Sequence, residues 1–360
     1  MVMFFHPFLE LCSKQNMKRI NNLYQQIYEW GNLLEAYGKA RKGASHSREA
    51  ILYAMNLHSN LRNLQRSLHE GTPEVGGYHY FTIYDPKERI ICAAPFEERV
   101  LHHAIMIVFE KRLEQHLVHD TYACRKGKGT ERALLKAFAN TKGNNWFLKL
   151  DMRKYFDSID HDILKHKLYR VCKDQRLNGL LDQIIDSYCT TEGKGIPIGN
   201  LTSQHFANFY LSWFDHHVKE VLQIKGYVRY MDDCVLWAST KEELVYCKKA
   251  VIAFLEVELK LTVKYAVINR TCNGVPFLGF LLKPDRILVL RSKKRRLHQT
   301  WKDLYWLLRR GAIDQQMFSD RITASLSHLR IARSRLFVYN SLQRYDLRLE
   351  PDPSGRQLEQ

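Results

Sequence analysis

Across 360 residues the chain carries 55 lysines and arginines against 38 aspartates and glutamates, a net charge of +17, with 45% hydrophobic and 26% charged residues. That length holds about two domains or one large multi-lobed fold, and the composition supports a sizeable core, which excludes a largely disordered chain. The basic excess points to a polyanionic partner, because each neutralised phosphate releases counterions, and no run approaches the ~20 apolar residues that a membrane helix needs.

The start, MVMFFHPFLELC, is apolar but lacks a basic n-region and is a poor signal peptide. Eight cysteines are scattered at 12, 92, 124, 172, 189, 234, 247 and 272 with no Cys-x-x-Cys pair, so they read as buried thiols of a cytoplasmic protein. Residues 17–40 and 48–70 read as helices. In the second, Ile51, Met55, Leu61, Leu64 and Leu68 mark one face, Ser47 caps the start and Gly71-Thr72-Pro73 stops it. Tyr78–Ile83 and Arg89–Ala94 read as strands joined by a tight turn at Asp85-Pro86-Lys87-Glu88. Pro95 opens a helix to about Val118, with Glu97 and Glu98 in its first turn. A Gly- and Lys-rich loop, Cys124–Gly129, precedes a helix from Thr130 to about Asn140.

WFLKLD (146–151) is a short buried strand that ends on a carboxylate, and a helix follows from about Asp160 to Val171. A longer helix is predicted over about Thr202–Leu222, with Phe206, Tyr210, Phe214, Val218 and Val221 on one face. YVRYMDDCVLWA (227–238) forms two strands around Met231-Asp232-Asp233; residues 241–260 are helical and 275–290 make a hairpin turning at Lys283–Arg286. From Arg291 the chain becomes basic and aromatic, RSKKRRLHQTWKDLYWLLRR, the start of a helical C-terminal module. Two neighbouring histidine pairs, His102-His103 and His216-His217, read as one packed and one exposed ring each, since adjacent helical residues point about 100° apart.

Two segments place acids where a strand ends or turns: LKLDMRKYF with Asp151, and RYMDDCV with Asp232 and Asp233. Phosphoryl transfer uses two hard cations ~3.5–4 Å apart, one at the attacking hydroxyl and one at the triphosphate, and carboxylates are natural Mg²⁺ ligands. Such acids converge if their strands are neighbours in one antiparallel sheet. Taken singly, each is also an ordinary hairpin-tip carboxylate.

YMDD between apolar flanks resembles the catalytic hairpin of reverse transcriptases. LKLDMRKYFDSIDH resembles the first palm motif in its bacterial group II-intron-like form, IPIGNLTSQHFAN the motif-B segment, and GVPFLGF the primer-grip hairpin. KERIICAAPFEERVLHHA and YACRKGKGTERAL resemble the two finger motifs, and the whole set stands in the family's order over roughly 17–345. The resemblance implies an α+β right-hand polymerase: an N-terminal helical extension (1–75), fingers and palm with an antiparallel sheet (76–285), a helical thumb (286–350) and a flexible tail (351–360).

It further implies a two-metal nucleotidyl transfer with Asp151, Asp232 and Asp233 as the catalytic and metal-binding residues, Asp151 bridging two Mg²⁺ ions (Mn²⁺ as the alternative), Asp232 completing the site and Asp233 supporting it. Lys87 and Arg89 would reach the triphosphate, Phe156 would crowd a 2′-hydroxyl and so favour dNTPs, and Ile198, Gly199 and Gln204 would border the incoming nucleotide. Arg125, Lys126, Lys128, Lys293, Lys294, Arg295 and Arg296 are the nucleic-acid contacts, and Lys260 and Lys264 the candidates for a later palm lysine. Most of the family has Gln-Gly-x-x-x-Ser-Pro in motif B, whereas this chain reads Ile198-Gly199-Asn200-Leu201-Thr202-Ser203-Gln204, the form of diversity-generating retroelements. That form implies error-prone copying of an RNA template from a DNA or RNA primer, beside a small basic accessory protein. The alternatives are a group II-like or phage-defence reverse transcriptase without a mutagenic role, and an RNA-binding scaffold that has lost catalysis.

Overall fold

The computed structural model describes residues 22–44, 46–84, 88–327, 329–332 and 334–343. The expected helix start at 17, the turn 85–87 with Lys87, and the tail 351–360 lie outside the described residues. The chain divides into two compact units, each assembled from separated stretches: Met1–Val118, Arg153–Asp215 and Phe254–Thr262 in one, His119–Met152, His216–Ala253 and Val263–Gln360 in the other. Among the described residues no helix is long and apolar enough to cross a membrane, and the described cysteines are free thiols.

The first unit is helical around Phe96–Gln115, which buries residues on every side, among them Phe96, Leu101, Ile105, Phe109 and the pair Glu98 and His102. A helix buried all round belongs at a core's centre. Trp30–Lys42 packs against it. The helix predicted over 48–70 is two, Arg48–Met55 and Leu57–Glu70, separated at Asn56. Ser47 accepts a hydrogen bond from the Ala50 N–H, as expected of its N-cap. Leu61, Leu64 and Leu68 are buried, but Ile51 and Met55 are 50% and 75% exposed, because the break at Asn56 ends the shared stripe. A two-stranded hairpin, β1 (His79–Tyr84) and β2 (Glu88–Ala93), pairs Phe81 with Ile91 and Ile83 with Arg89. The helices His161–Val171, Gln175–Asp186 and Leu201–Tyr210 complete the unit. The long helix expected to Leu222 is instead Leu201–Tyr210, Ser212–His216 and a π-helical turn, His217–Val221.

The second unit is built on a four-stranded antiparallel sheet in the order β4-β5-β3-β6, from β3 (Trp146–Met152), β4 (Gly226–Tyr230), β5 (Asp233–Ala238) and β6 (Val263–Arg270). β6 has no counterpart among the predicted elements. Side chains alternate faces along a strand, so Phe147, Lys149 and Asp151 of β3 share a face with Asp233, Val235 and Trp237 of β5. The apolar part of that face packs on Ala133, Leu134 and Ala137 of the helix Thr130–Gly143 and on a three-stranded sheet, β7 (Val275–Phe277), β8 (Phe280–Leu282) and β9 (Ile287–Val289). The predicted 275–290 hairpin therefore has a third strand, because Phe277-Leu278-Gly279-Phe280 makes a turn of its own. The basic helix Arg291–Arg309 follows, with Trp301 and Leu304 buried against Phe318 and Ile322 of Gln315–Ser327.

Burial holds the His205 imidazole down at about 4, with His103 adding to that shift and Glu114 opposing it, and burial holds His217 at about 4 as well. A histidine kept neutral by the fold stabilises it fully above its ordinary value near 6.5 and loses that contribution as pH falls toward the folded value. The thermal midpoint is therefore expected to drop between about pH 6.5 and pH 4, and His205→Gln to flatten that drop, as read from melting curves of both proteins across the window.

Candidate active site

The turn joining β4 to β5 is two residues long, since Tyr230 pairs with Asp233 and leaves Met231 and Asp232 at the tip. Met231 takes φ +54, and the buried Arg229 donates from Nη1 to the Met231 carbonyl at 3.0 Å. A left-handed residue without β-branching is tolerated in such a turn when its backbone is tied. Asp232 is therefore fixed by backbone geometry at the sheet margin. Leu150 pairs with Cys234, which brings Asp151 beside Asp233, and Asp151 faces Tyr265 across β6.

The electrostatics show the same convergence. Burial raises the Tyr265 hydroxyl, and the negative charges of Asp151, Asp233 and Asp232 raise it further. Asp151 pairs with Lys264 at 3.3 Å and otherwise remains half-buried at the sheet end. Burial also raises Asp233, with Asp151 pushing the same way, while Lys149 and the Leu278 N–H pull it back. Lys149 lies 3.0 Å from Asp233 Oδ1. Of the two later lysines, Lys264 joins this acid group, whereas Lys260 pairs at 2.8 Å with Asp160, the N-cap of His161–Val171. Lys149 and Tyr265 are the members of the site that motif spacing alone does not announce.

A cation set fits these acids in kind, because all the donors offered are carboxylate oxygens, suited to hard ions. Asp151 and Asp232 are the two carboxylates that could hold it, because the lysine paired with Asp233 is buried whereas the lysine paired with Asp151 is exposed. Among the described residues no three His, Cys, Asp or Glu side chains are grouped to hold an ion. His102 instead lies 3.4 Å from Glu98, and His216 pairs with Glu220 at 2.6 Å.

In the other unit the expected nucleotide-side residues form one connected patch. The Ile198 carbonyl accepts from the Cys92 N–H at 2.8 Å, and the Asn200 side chain accepts from the Ala94 N–H at 3.3 Å. Arg89 is exposed on the strand face it shares with Ile91. Ile198 and Phe156 are half-buried, and the Phe156 carbonyl accepts from the Ile196 N–H at 3.0 Å. Gln204 is half-buried in the first turn of Leu201–Tyr210.

The basic candidates divide by occupation. Arg125 donates to Thr121 Oγ1 at 2.7 Å and to its carbonyl at 3.1 Å; Lys128 donates to the His119 carbonyl at 2.8 Å. Lys293 lies 3.9 Å from the centre of the Phe280 ring, and Lys294 lies 5.0 Å from that of Phe337. Burial lowers the Lys293 amine to about 8, with Arg296 adding to the shift. Lys126, Arg295 and Arg296 are exposed.

The profile of the family described as "Reverse transcriptase (RNA-dependent DNA polymerase)" matches residues 85–282. An uncharacterized 91 kDa protein in cob intron of Schizosaccharomyces pombe is 28% identical over 152 residues, 41% of this chain and 18% of its own length. The group II intron-encoded protein LtrA of Lactococcus lactis subsp. cremoris is 25% identical over 234 residues, 60% of this chain and 38% of its own length. This chain thus spans less than half the length of either relative. The solved structure of apo telomerase from Candida Tropicalis aligns at a TM-score of 0.46 with 12% identity, covering 80% of this chain and 62% of that one.

Gly199 has φ +122, and a Cβ there would stand 2.9 Å from Ile91 Cγ2 and 3.2 Å from the Cys92 carbonyl oxygen. Gly199→Ala is expected to lower unfolding stability by roughly 1–3 kcal/mol through strain and displaced backbone, measurable as a shifted urea midpoint.

Proposed function

We propose that this chain, which belongs to the reverse transcriptase (RNA-dependent DNA polymerase) family, extends a primer on an RNA template by adding nucleotides from dNTPs. The observation that carries the reading is the meeting of Asp151, Asp232 and Asp233 around Tyr265 at one end of one sheet, although Asp151 and Asp232 are 81 residues apart (232 − 151). Divalent cations held there, Mg²⁺ with Mn²⁺ as the alternative, would supply Lewis-acid activation of the primer 3′-hydroxyl and charge neutralisation at the triphosphate. Asp151 and Asp232 are the residues that would hold them. The protein's own part is alignment and charge, since in-line attack of the 3′-hydroxyl on the α-phosphate needs a fixed geometry more than an added functional group.

Arg89 supplies a guanidinium suited to the triphosphate, and the Phe156 ring would exclude a ribose 2′-hydroxyl. Lys126, Arg295 and Arg296 are the exposed cations for template and primer phosphates. Asp151→Asn is expected to cut dNTP incorporation by at least roughly 10³-fold, the scale of losing a transition-state electrostatic contact, with an unchanged melting midpoint and unchanged RNA binding. Near-normal synthesis by that variant in a primer-extension assay would reject Asp151 as a catalytic residue, whereas no synthesis by the wild-type chain would remove the polymerase reading and leave the RNA-binding scaffold.

The finer role we propose is error-prone cDNA synthesis in a diversity-generating retroelement, in the cytoplasm and beside a small basic accessory protein. Its support is motif B, where an apolar Ile198 stands in place of a hydrogen-bonding glutamine and Ser203-Gln204 follow. A residue that cannot donate a hydrogen bond aligns the incoming nucleotide less strictly. The resemblance to the intron-encoded LtrA favours a second reading, a group II-like enzyme without mutagenic function. Ile198→Gln should reduce misincorporation opposite template adenines by about fivefold to tenfold, the worth of roughly one hydrogen bond. Sequencing the cDNA products of both proteins checks this, and an unchanged error spectrum favours the second reading.

A further inference from the structure

Lys149 sits two residues before Asp151 on β3, is 8% exposed, and points to the face that carries the acids. A buried ammonium is tolerated only where its donors are taken up. Here its Nζ lies 3.0 Å from Asp233 Oδ1, donates to Asp233 Oδ2 at 3.2 Å and to the Pro276 carbonyl at 2.6 Å, and stands 5.7 Å from the centre of the Phe277 ring. Asp233 in turn accepts from the Leu278 N–H. One lysine and one carboxylate therefore fasten the β7–β8 turn to β3 and β5.

That turn has little freedom of its own. Leu278 and Gly279 take φ +47 and +82, and the Leu290 N–H donates to the Gly279 carbonyl at 3.1 Å. A Cβ on Gly279 would stand 2.8 Å from Lys293 Cδ, so the first turn of Arg291–Arg309 lies directly against it. The exposed Arg295 and Arg296 follow on that helix. The backbone bordering Asp233 on this side is Pro276–Gly279, so a strand end reacting at Asp151 and Asp232 would lie beside it.

We propose that Lys149 is a positioning residue, resting on the polymerase reading above: it holds the β7–β8 turn in register with the carboxylates so that the primer 3′ end is presented to Asp151 and Asp232. Asp233 is the other half of this fastening and acts through Lys149 and Leu278, apart from the two acids that would hold cations. The pairing is one of geometry: the ammonium reaches two oxygens on β5 and a carbonyl on β7 at once, which no neutral side chain of that length can do.

The test is steady-state primer extension by the full chain, with primer–template and dNTP varied separately. Lys149→Met should raise the primer–template KM about tenfold or more while leaving the dNTP KM within about twofold, the pattern of lost alignment of one substrate. Lys149→Arg, which keeps the charge, should recover part of the loss. Asp233→Asn should add little in the Lys149→Met background if the two act as one unit. Lys149→Gln, which retains a donor for Pro276, is the substitute variant if Lys149→Met does not fold. A primer–template KM unchanged in the folded variant, or both KM values raised alike, overturns the inference and leaves the polymerase reading standing. Failure of the wild-type chain to extend any primer overturns both.

Discussion

Three carboxylates at the end of one sheet repel one another, and the rest of the second unit is arranged to keep them there. At an effective dielectric near 20, two charges 4 Å apart repel by about 4 kcal/mol. Two lysines answer this. Lys264 pairs with Asp151 from the neighbouring strand at 3.3 Å, on an exposed side chain that solvent screens. Lys149, itself buried, pairs with Asp233 from within the sheet. The difference decides what each acid is free to do. Asp151 keeps a partner on an exposed side chain, whereas Asp233 keeps a buried one that is also holding Pro276. Burial raises the Tyr265 hydroxyl, and the charges of Asp151, Asp233 and Asp232 raise it further.

The arrangement was partly legible in the residues. Asp151 and Asp232 could be singled out because each ends an apolar run, and an apolar run that stops on an acid is a strand reaching the sheet margin. Convergence was a condition that needed partners, and the strand order β4-β5-β3-β6 supplies them. β6 escaped notice because Val263–Arg270 has apolar residues on both faces, Val263, Tyr265 and Val267 on one, Ala266 and Ile268 on the other. It therefore lacks the two-fold alternation by which a half-buried strand is read. Gln175–Asp186 is a different case. Leu177, Leu180, Leu181, Ile184 and Ile185 are all buried at helical spacing, a pattern open to reading from the sequence.

Other misreadings came from asking pattern to supply context. Ile51 and Met55 share a helical phase with Leu61 and Leu64, but phase does not survive the interruption at Asn56. The stretch after Tyr210 has helical composition throughout, yet its hydrogen bonding changes to a π turn at His217–Val221. Lys149 carried a signal that composition alone obscures. A single lysine inside WFLKLD is costly to bury, so its presence implies an internal partner, and the next acid on the neighbouring strand was available to be that partner.

The charge of +17 overstates what the chain can offer to phosphate. Arg125 and Lys128 are engaged with the loop that carries them, Lys293 and Lys294 lie over aromatic rings, and Lys149, Lys260 and Lys264 are paired with acids. Lys293 goes furthest in this direction, since burial lowers its amine to about 8 and leaves only a small margin of charge in mildly alkaline solution. Much of the basic excess thus serves to hold turns and acids in place. Arg291, Arg295 and Arg296 are exposed on the helix that follows the β7–β8 turn. Cations fixed at the β7–β8 turn and beside the acids suit a reaction in which the position of one strand end matters more than the total attraction for its backbone.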